Sequence, residues 1–482
     1  MGKMRIFIML IVIVFVLTSC VKPIVTQTVT TTNVGTTTQT SIPTSTTTSA
    51  PTSVPTSIPT VMSSTTTTTT PTTTDKTPNP IQVKMNQYID QLINETPSYI
   101  PAWNNEGFKG RWNYVDGVFL NAIVNLYNET KIDKYKYFFL NYINYYINEN
   151  GEFIHPETKE LYFNYGELDS ICESKILFDA YEMTNDNRYL KAIENSYNAL
   201  MDISKAGNTS NFSHKERYLN QVWLDGMYMY VPFYLRYANL KGNNNIEQTV
   251  KSQYEFIRNN MFDETKELYY HANDTTKSIF WANKTTGNSQ SFWLRGNGWY
   301  IMSLVDAIEY VKDGNVAHYL KGLLKEALVG ILKHQSDSKL FYQLVDQGSK
   351  VYKVPASYLK GLKNEAYKVN DEYVDTNIRN YLESSGSSMI AYALLKASRL
   401  GYVEDLYSNK GLEVFEALFN TKVSTTNGIH LNDICITAGL GPEDNTVRDG
   451  TPYYYLAEPV GSDDAKGVGP FILAYLEYNK II

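Results

Sequence analysis

Three aspartates and one arginine stand where helical segments begin, and these residue types can exchange protons and bind carboxylates. Asp116, Asp169, Asp225 and Arg295 each follow a polar loop, at or just before the start of an apolar helical stretch. A carboxylate can act as general acid or base, and a guanidinium grips a carboxylate through two parallel hydrogen bonds. Taken singly, an aspartate there is more simply a helix cap, and Ser170–Glu173 also fits a capping box beside Asp169.

Aromatic residues accompany these charged positions. All six tryptophans precede residue 300, at positions 103, 112, 223, 281, 293 and 299. A sugar has an apolar C–H face and a rim of hydroxyls, so a stacking ring beside carboxylates suits a carbohydrate site, although any single tryptophan can equally be core. In the stretch Trp293–Trp299, two glycines and an asparagine indicate close backbone approach. His214, Lys215, Arg217 and His271 offer further cations.

Other chemistries find little support in the sequence. No histidine pair has HxH or HExxH spacing, neither cysteine after residue 80 has a CxxC partner, and no phosphate loop or G-x-S-x-G elbow is present. Residues 81–482 contain 39 of the 43 Lys and Arg and 49 of the 50 Asp and Glu, a charge of −10. This acidity argues against nucleic acid or an anionic membrane surface as the main partner. Acid–base chemistry by carboxylates is what remains.

The elements that position these residues are predicted to be helical hairpins. Apolar stripes at helical spacing alternate with polar breaks near Asn128, Thr184–Asn187, Gly242, Gly314 and Gly401, which makes five hairpins. Two single helices, at about 82–95 and 466–480, are left to pair. Twelve helices of this kind predict an all-α (α/α)6 toroid, with an open solenoid as the alternative. Short strands are expected only near 268–272 and 340–345. In a closed ring the charged helix starts gather at one mouth.

Two segments precede the predicted catalytic domain at 81–482. Lys3 and Arg5 lead into the apolar run Ile6–Leu17, which is too short to span a bilayer, and residues 17–20 resemble a bacterial lipobox ending at Cys20. Residues 1–20 are therefore predicted to be a lipoprotein signal peptide with Cys20 as the lipidation site. Residues 21–80, with 26 Thr and 8 of the 17 prolines, are predicted to be a disordered linker. The expected location is the bacterial cell surface, where the lipid anchor is the only membrane contact.

Several separate motifs resemble one known family. The sequence is similar, across 81–482, to the unsaturated rhamnogalacturonyl hydrolases of glycoside hydrolase family 105. The matching stretches are His214–Met229, Trp293–Trp299, Leu168–Ser170, Lys175–Phe178, Glu383–Ser387 and Lys466–Phe471. Two departures lie beside the site, at Leu219, where the family commonly has Pro, and at Glu173-Ser174, where small residues are usual.

The resemblance implies roles for individual residues. Asp225 matches the catalytic acid/base and Asp169 the second essential aspartate. The other matched residues line the sugar-uronate site or lie beside it: His214, His271, Trp293, Arg295, Trp299, Tyr114, Asp116 and Trp223. Neither a cofactor nor a metal is implied.

The implied reaction releases a 4,5-unsaturated uronic acid from the non-reducing end of lyase-generated pectin (rhamnogalacturonan) oligosaccharides. Protonated Asp225 delivers a proton to C4, water adds at C5, and the hemiketal opens and expels the aglycone. Asp225 is expected to have a raised pKa from its aromatic pocket and from Asp169, and Arg295 is expected to hold the substrate carboxylate.

Two other functions stay open at the level of sequence. One is an inverting glycosidase with Asp169 and Asp225 as base and acid on a saturated oligosaccharide. The other is a surface lipoprotein that binds glycans without cleaving them. Rhamnose is favoured as the attached sugar only through the resemblance, galactose or a glycosaminoglycan sugar being the alternatives, and the oligomeric state is unknown.

Overall fold

The structure is a computed structural model, and it describes residues 79–96, 111–163 and 165–482. The predicted signal peptide, Cys20 and nearly all of the predicted linker lie outside these residues. None of the described helices combines the length and the apolar character needed to cross a bilayer.

Helices make up most of the described chain. There are fifteen α-helices in these residues: α1 (Pro80–Glu95), α2 (Tyr114–Thr130), α3 (Asp133–Tyr146), α4 (Asp169–Glu173), α5 (Ile176–Thr184), α6 (Asn187–Asp202), α7 (Leu224–Lys241), α8 (Asn245–Met261), α9 (Leu294–Ile308), α10 (Gly314–Leu332), α11 (Ala356–Gly361), α12 (Ser384–Arg399), α13 (Leu406–Lys422), α14 (Pro452–Ala457) and α15 (Ala465–Ile481).

The helices form two concentric rings. The inner ring runs in order through α2, α4 with α5, α7, α9, α12 and α15, and α15 packs against α2 to close it. The outer ring consists of α1, α3, α6, α8, α10 and α13. The predicted (α/α)6 toroid is therefore confirmed, and the open solenoid is excluded because the first and last inner helices are neighbours. The two single helices predicted at the ends of the domain are α1 and α15.

Burial explains which helices are inner and which are outer. Every residue of α9 is buried, as expected for a helix surrounded by neighbours. By contrast, α6 buries one stripe, Tyr189, Ala192, Ile193, Ser196, Ala199 and Leu200, at the spacing of a helix with one face to solvent. The second inner helix is interrupted at Ser174 and Lys175, which separate α4 from α5.

The strands are short and antiparallel, and they connect loops. The pairs are β1 (Gln221–Trp223) with β4 (Ala272–Asp274), β2 (Phe262–Asp263) with β3 (Leu268–Tyr269), β5 (Val351–Val354) with β8 (Thr376–Arg379), β6 (Lys368–Val369) with β7 (Glu372–Tyr373), β9 (Val423–Ser424) with β10 (His430–Leu431), and β11 (Ile434–Cys435) with β12 (Val460–Gly461). The strand expected near 268–272 corresponds to β3 and the first residue of β4. Residues 340–345 contain only isolated bridges through Tyr342 and Leu344.

Candidate active site

A cleft of about 130 Å³ opens at the end of the ring where inner helices begin. Tyr114 is the first residue of α2, Asp169 the first of α4, and Asp225 the second of α7. These three share the cleft with residues from the intervening loops, namely His214, Lys215, Tyr218, Trp223, Met229, Thr437, Ala438, Gly439 and Arg448. The structure thus brings together the two predicted catalytic aspartates, Tyr114, His214 and Trp223.

The aspartates of the mouth are not the side-chain caps of their helices. The cap of α2 is Asn113, whose side chain accepts the amide hydrogens of Val115 and Asp116. The residues at the N-caps of α4 and α7 are Leu168 and Trp223, and neither makes a side-chain capping bond. The carboxylates of Asp169 and Asp225 are therefore available for other partners.

The alternative capping box at Ser170–Glu173 does not form either. Ser170 Oγ donates to Glu167 Oε1 over 3.1 Å, and the Glu173 carboxylate accepts the amide hydrogen of Asn113 in the neighbouring inner helix segment.

Asp225 is buried and is hydrogen-bonded to an imidazole. Its Oδ2 lies 2.9 Å from His271 Nε2, and His271 Nδ1 lies 2.7 Å from the Tyr455 hydroxyl. The hydroxyl can donate or accept, so either protonation state of the imidazole keeps its hydrogen bond. Strand β4 positions His271. The strand begins at the next residue, Ala272, which pairs with Trp223 directly before α7.

The pKa of Asp225 lies below its ordinary value, opposite to the sequence expectation. Burial raises this pKa, but the charge of His271 and its hydrogen bond to the carboxylate lower it by more. The expectation of a raised pKa considered the aromatic pocket and Asp169 but not the imidazole of His271.

Asp169 has a different kind of partner. Its Oδ2 lies 2.5 Å from Lys215 Nζ, and the same ammonium lies 3.2 Å from Glu167 Oε2. Burial lowers the pKa of Lys215, but the two carboxylates raise it by more, so the ammonium stays charged at any physiological pH. His214 Nε2 lies 3.7 Å from Asp169 Oδ1, yet burial and the charge of Lys215 lower the pKa of His214 to about 3. His214 is thus neutral, and its contact with Asp169 is not an ion pair.

Stacked rings form an aromatic wall of the cleft. Trp223 stacks with the imidazole of His214, at a centroid distance of 4.5 Å and 13°, and with the ring of Tyr218, at 5.0 Å and 25°. Trp223 Nε1 donates to Gln221 Oε1 over 3.0 Å, which fixes the indole plane. A fixed aromatic face beside two carboxylates is the arrangement that a pyranose ring needs.

The structure does not bring Arg295 to the cleft, so the predicted grip on a substrate carboxylate does not fit its position. Its side chain is 1% exposed, and Nη1 donates to Cys435 O over 2.5 Å and to Ser385 Oγ over 3.1 Å. Burial lowers the pKa of Arg295, while the nearby Cys435 and Glu383 raise it by more. Arg295 therefore ties α9 to the start of α12 and to β11.

Three further predicted site residues lie behind the cleft lining. Trp299 is in the core and stacks on Tyr228 at 4.6 Å. Asp116 is fully buried and accepts hydrogen bonds from Asn113 Nδ2 and from the Tyr142 hydroxyl. Trp293 packs against the imidazole of His271, with the two ring centroids 4.5 Å apart.

Sequence reasoning missed residues supplied by the C-terminal loops. Arg448 and the segment 437–439 line the cleft, and Tyr455 holds His271. Arg448 lies in a loop without apolar periodicity, so only its charge could have marked it. Within the described ranges 79–96, 111–163 and 165–482, no cluster of His, Cys, Asp or Glu side chains could hold a metal ion.

A helical toroid with two carboxylates and a stacking wall at its mouth defines a class of carbohydrate-active enzyme. The family model described as Glycosyl Hydrolase Family 88 matches residues 85–358 and 368–482. The chain therefore belongs to this family and is a glycoside hydrolase.

Similar proteins agree with this assignment. The structure of a family 105 glycoside hydrolase from C. acetobutylicum has a TM-score of 0.70 and 32% sequence identity, and the match covers 83% of this chain and 99% of that one. This match confirms the family resemblance drawn from the motifs. Protein Atu3128 of Agrobacterium fabrum is 34% identical over 255 residues, or 52% of this chain and 97% of that protein. The unsaturated rhamnogalacturonyl hydrolase YesR of Bacillus subtilis is 22% identical over 285 residues, or 57% of this chain and 73% of that protein.

Proposed function

We propose that this enzyme removes the 4,5-unsaturated uronic acid from the non-reducing end of rhamnogalacturonan oligosaccharides by hydrating the C4=C5 bond. The observation that carries the proposal is the pair of carboxylates in one cleft, of which Asp225 is hydrogen-bonded to His271 and Asp169 is held by Lys215. Rhamnogalacturonan is chosen because the relative YesR is named for that substrate.

The cleft offers complementary groups for each part of an unsaturated uronate. The wall of Trp223 and His214 stacks on the sugar ring. Lys215 and Arg448 are the cations among the described lining residues, and they attract the carboxylate on C5.

The proton-transfer steps follow from the Asp225–His271 pair. When the sugar fills the cleft it displaces water, and loss of water favours a neutral carboxylic acid and imidazole over a charged pair. Asp225 then gives its proton to C4 as the vinyl ether takes up charge at C5. Water attacks C5 and returns a proton to the Asp225 carboxylate. The hemiketal formed at C5 opens, and the hemiacetal at C1 releases the aglycone.

The test compares Asp225→Asn with the wild type on an unsaturated disaccharide produced by a rhamnogalacturonan lyase. Loss of the ultraviolet absorbance of the conjugated double bond reports hydration. We expect turnover to fall about 10³-fold while the substrate still binds, because the amide cannot exchange the proton. Asp202→Asn, an exposed position at the end of α6, is the matched control and should keep full activity.

Two outcomes would contradict the proposal. Normal turnover by Asp225→Asn would remove this carboxylate from the mechanism. Cleavage of saturated oligosaccharides, with no loss of absorbance from the unsaturated ones, would instead favour the alternative of an inverting glycosidase.

We also propose that the enzyme is exported and held at the cell surface by lipid on Cys20. Support comes from the residues before Cys20, which resemble a lipobox, and from the Thr/Pro-rich tract that follows as a tether. Cys20→Ala should release the protein from the membrane fraction. An unchanged membrane fraction for that variant would contradict the anchor.

A further inference from the structure

We propose that a second pocket binds a neutral sugar residue in the aglycone of the substrate, so that longer oligosaccharides are favoured over disaccharides. This inference rests on the proposed function and deepens it. The pocket, here called the hairpin pocket, has a volume of about 430 Å³. Its described lining residues are Glu152, Phe153, Leu161, Tyr162, Phe163, Tyr165 and Asn195.

Residues 147–162 form the non-helical hairpin that carries the pocket, and backbone hydrogen bonds hold it. Phe153 pairs with Ile147 and Ile154 with Leu161 across isolated bridges. Tyr162 N donates to Phe153 O over 2.9 Å. The aromatic side chains therefore project from an ordered support, which reduces the entropy lost when a ligand orders them.

The aromatic rings contact one another in a row that runs from buried Phe153 to exposed Tyr165. The ring of Phe163 lies 4.6 Å from that of Phe153 and 5.2 Å from that of Tyr165. Tyr165 is 70% exposed and Leu161 is 69% exposed. An exposed aromatic row beside polar groups marks a binding surface, and a sugar offers both the C–H face and the hydroxyls that such a surface fits.

The charge of the pocket selects the kind of sugar. Glu152 is the only charged side chain among the described lining residues. Its carboxylate accepts hydrogen bonds from hydroxyls but repels a uronate, whereas the catalytic cleft has Lys215 and Arg448 for that purpose. Asn195, held by a 3.0 Å hydrogen bond from Nδ2 to Gly151 O, adds an amide. The hairpin pocket thus fits a neutral sugar.

A short backbone segment links the hairpin to the catalytic cleft. Gly166 O accepts the amide hydrogen of Glu216 over 2.7 Å, and Leu168 N donates to His214 O over 3.1 Å. Three residues separate Tyr165 from Asp169, so their Cα atoms are at most about 14 Å apart. One oligosaccharide can therefore occupy the cleft with its unsaturated end and contact the hairpin with later residues.

The kinetic test compares unsaturated di- and hexasaccharides on the full-length enzyme. For Tyr165→Ala, the ratio of kcat/KM for the hexasaccharide to that for the disaccharide should fall about 10-fold, since a stacking contact is lost. Tyr165→Phe keeps the ring and should keep the wild-type ratio. Tyr137→Ala, 58% exposed on α3, is the matched control and should also leave the ratio unchanged. An unchanged ratio in Tyr165→Ala overturns the proposal.

A binding test separates this proposal from the proposed function. Isothermal titration of Asp225→Asn with galactotetraose and with tetragalacturonate measures affinity without turnover. Adding Tyr165→Ala to Asp225→Asn should weaken binding of the neutral tetramer and leave binding of the acidic tetramer, which the cleft cations attract, unchanged. Unchanged affinity for the neutral tetramer in the double variant overturns the hairpin pocket. Failure of the enzyme to hydrate any unsaturated substrate would overturn the proposed function alone, because this titration would still report the pocket.

Discussion

The two carboxylates of the mouth differ in what their partners can do. Lys215 holds Asp169 with a permanent charge, since the pKa of the ammonium is raised. His271 holds Asp225 through an imidazole nitrogen, and the Tyr455 hydroxyl at the other ring nitrogen can donate or accept a hydrogen bond. A carboxylate can exchange a proton during turnover only if its partner tolerates both states. The partners therefore support the acid–base role proposed for Asp225 and give Asp169 a permanently charged neighbour.

Arg448 is predicted to select the uronate. It lines the cleft, and its Nη2 lies 3.4 Å from the buried carboxylate of Glu458, which orients it. Arg448→Gln should raise KM for an unsaturated disaccharide about 10-fold with a smaller change in kcat, because the lost contact is made to a carboxylate that does not react. Steady-state kinetics measures this. A fall in kcat at constant KM would contradict a binding role.

Arg295 is predicted to act on stability. Arg295→Gln removes the charged donor to Cys435 O and Ser385 Oγ and leaves those acceptors and nearby Glu383 in a buried site. The free energy of unfolding should fall by about 3 kcal/mol. Urea denaturation measures this loss. A variant of wild-type stability with a large rise in KM would restore the role in substrate binding that the sequence suggested.

The sequence was informative about residues that begin a predicted inner helix and less so about residues of the C-terminal part of the chain. Asp169 and Asp225 could be found because each begins an apolar helix within a family motif. Arg448 and Tyr455 reach the site from the C-terminal part of the chain, and no periodicity indicates where that part folds. The lowered pKa of Asp225 depends on His271, 46 residues away in the sequence, and thus on the pairing of β1 with β4.

Close contacts between inner helices set the diameter of the ring. A Cβ atom on Gly117 in α2 would lie 2.6 Å from the Cα of Glu173 in α4, and one on Gly469 in α15 would lie 2.6 Å from the carbonyl oxygen of Val118 in α2. Glycine at these positions lets the backbones approach. The toroid therefore closes through contacts that no larger residue permits.

Substitution of Gly469 tests this packing. Gly469→Ala should lower the free energy of unfolding by about 2 kcal/mol, because its Cβ meets a backbone oxygen that cannot move away. Gly322→Ala on outer helix α10 is the control, since a Cβ there meets nothing within 4 Å. The control should gain about 0.5 to 1 kcal/mol from helix propensity alone. Equal effects of the two variants in thermal unfolding would contradict the packing argument.

The helical hairpins and the breaks between their helices followed from apolar periodicity, but the interruption of the second inner helix did not. The predicted turn at Gly242 is the left-handed cap of α7. The break predicted near Asn128 comes slightly later in the structure, since α2 ends at Thr130. The break between α4 and α5 carries no Gly or Pro. It accompanies Lys175, whose ammonium reaches Tyr228 O in the next inner helix, and such a tertiary contact leaves no local pattern.

At the scale of the whole molecule, a polar cluster joins the first described helix to the C-terminal part of the chain. Tyr88 of α1 donates to Asp463 Oδ1 over 2.5 Å, and His430 Nδ1 lies 2.6 Å from Asp463 Oδ2. Gln91 of α1 exchanges hydrogen bonds of 2.8 and 3.2 Å with the backbone of Ile429. Contacts between residues far apart in sequence thus hold α1 to the C-terminal part of the chain.

This cluster predicts how stability depends on pH. The hydrogen bond to Asp463 raises the pKa of His430 against a smaller lowering by burial. A raised pKa means that the protonated imidazole stabilises the fold fully below the unfolded value of about 6.5, and that this contribution is lost as the pH rises through the folded pKa. His430→Gln lacks a titrating group. The melting temperature of the wild type, relative to His430→Gln, should therefore fall between pH 6 and 8.5, by an amount corresponding to less than about 1 kcal/mol because the imidazole is partly exposed. If the difference in melting temperature between the two proteins stays constant or grows with pH, protonated His430 does not stabilise the fold.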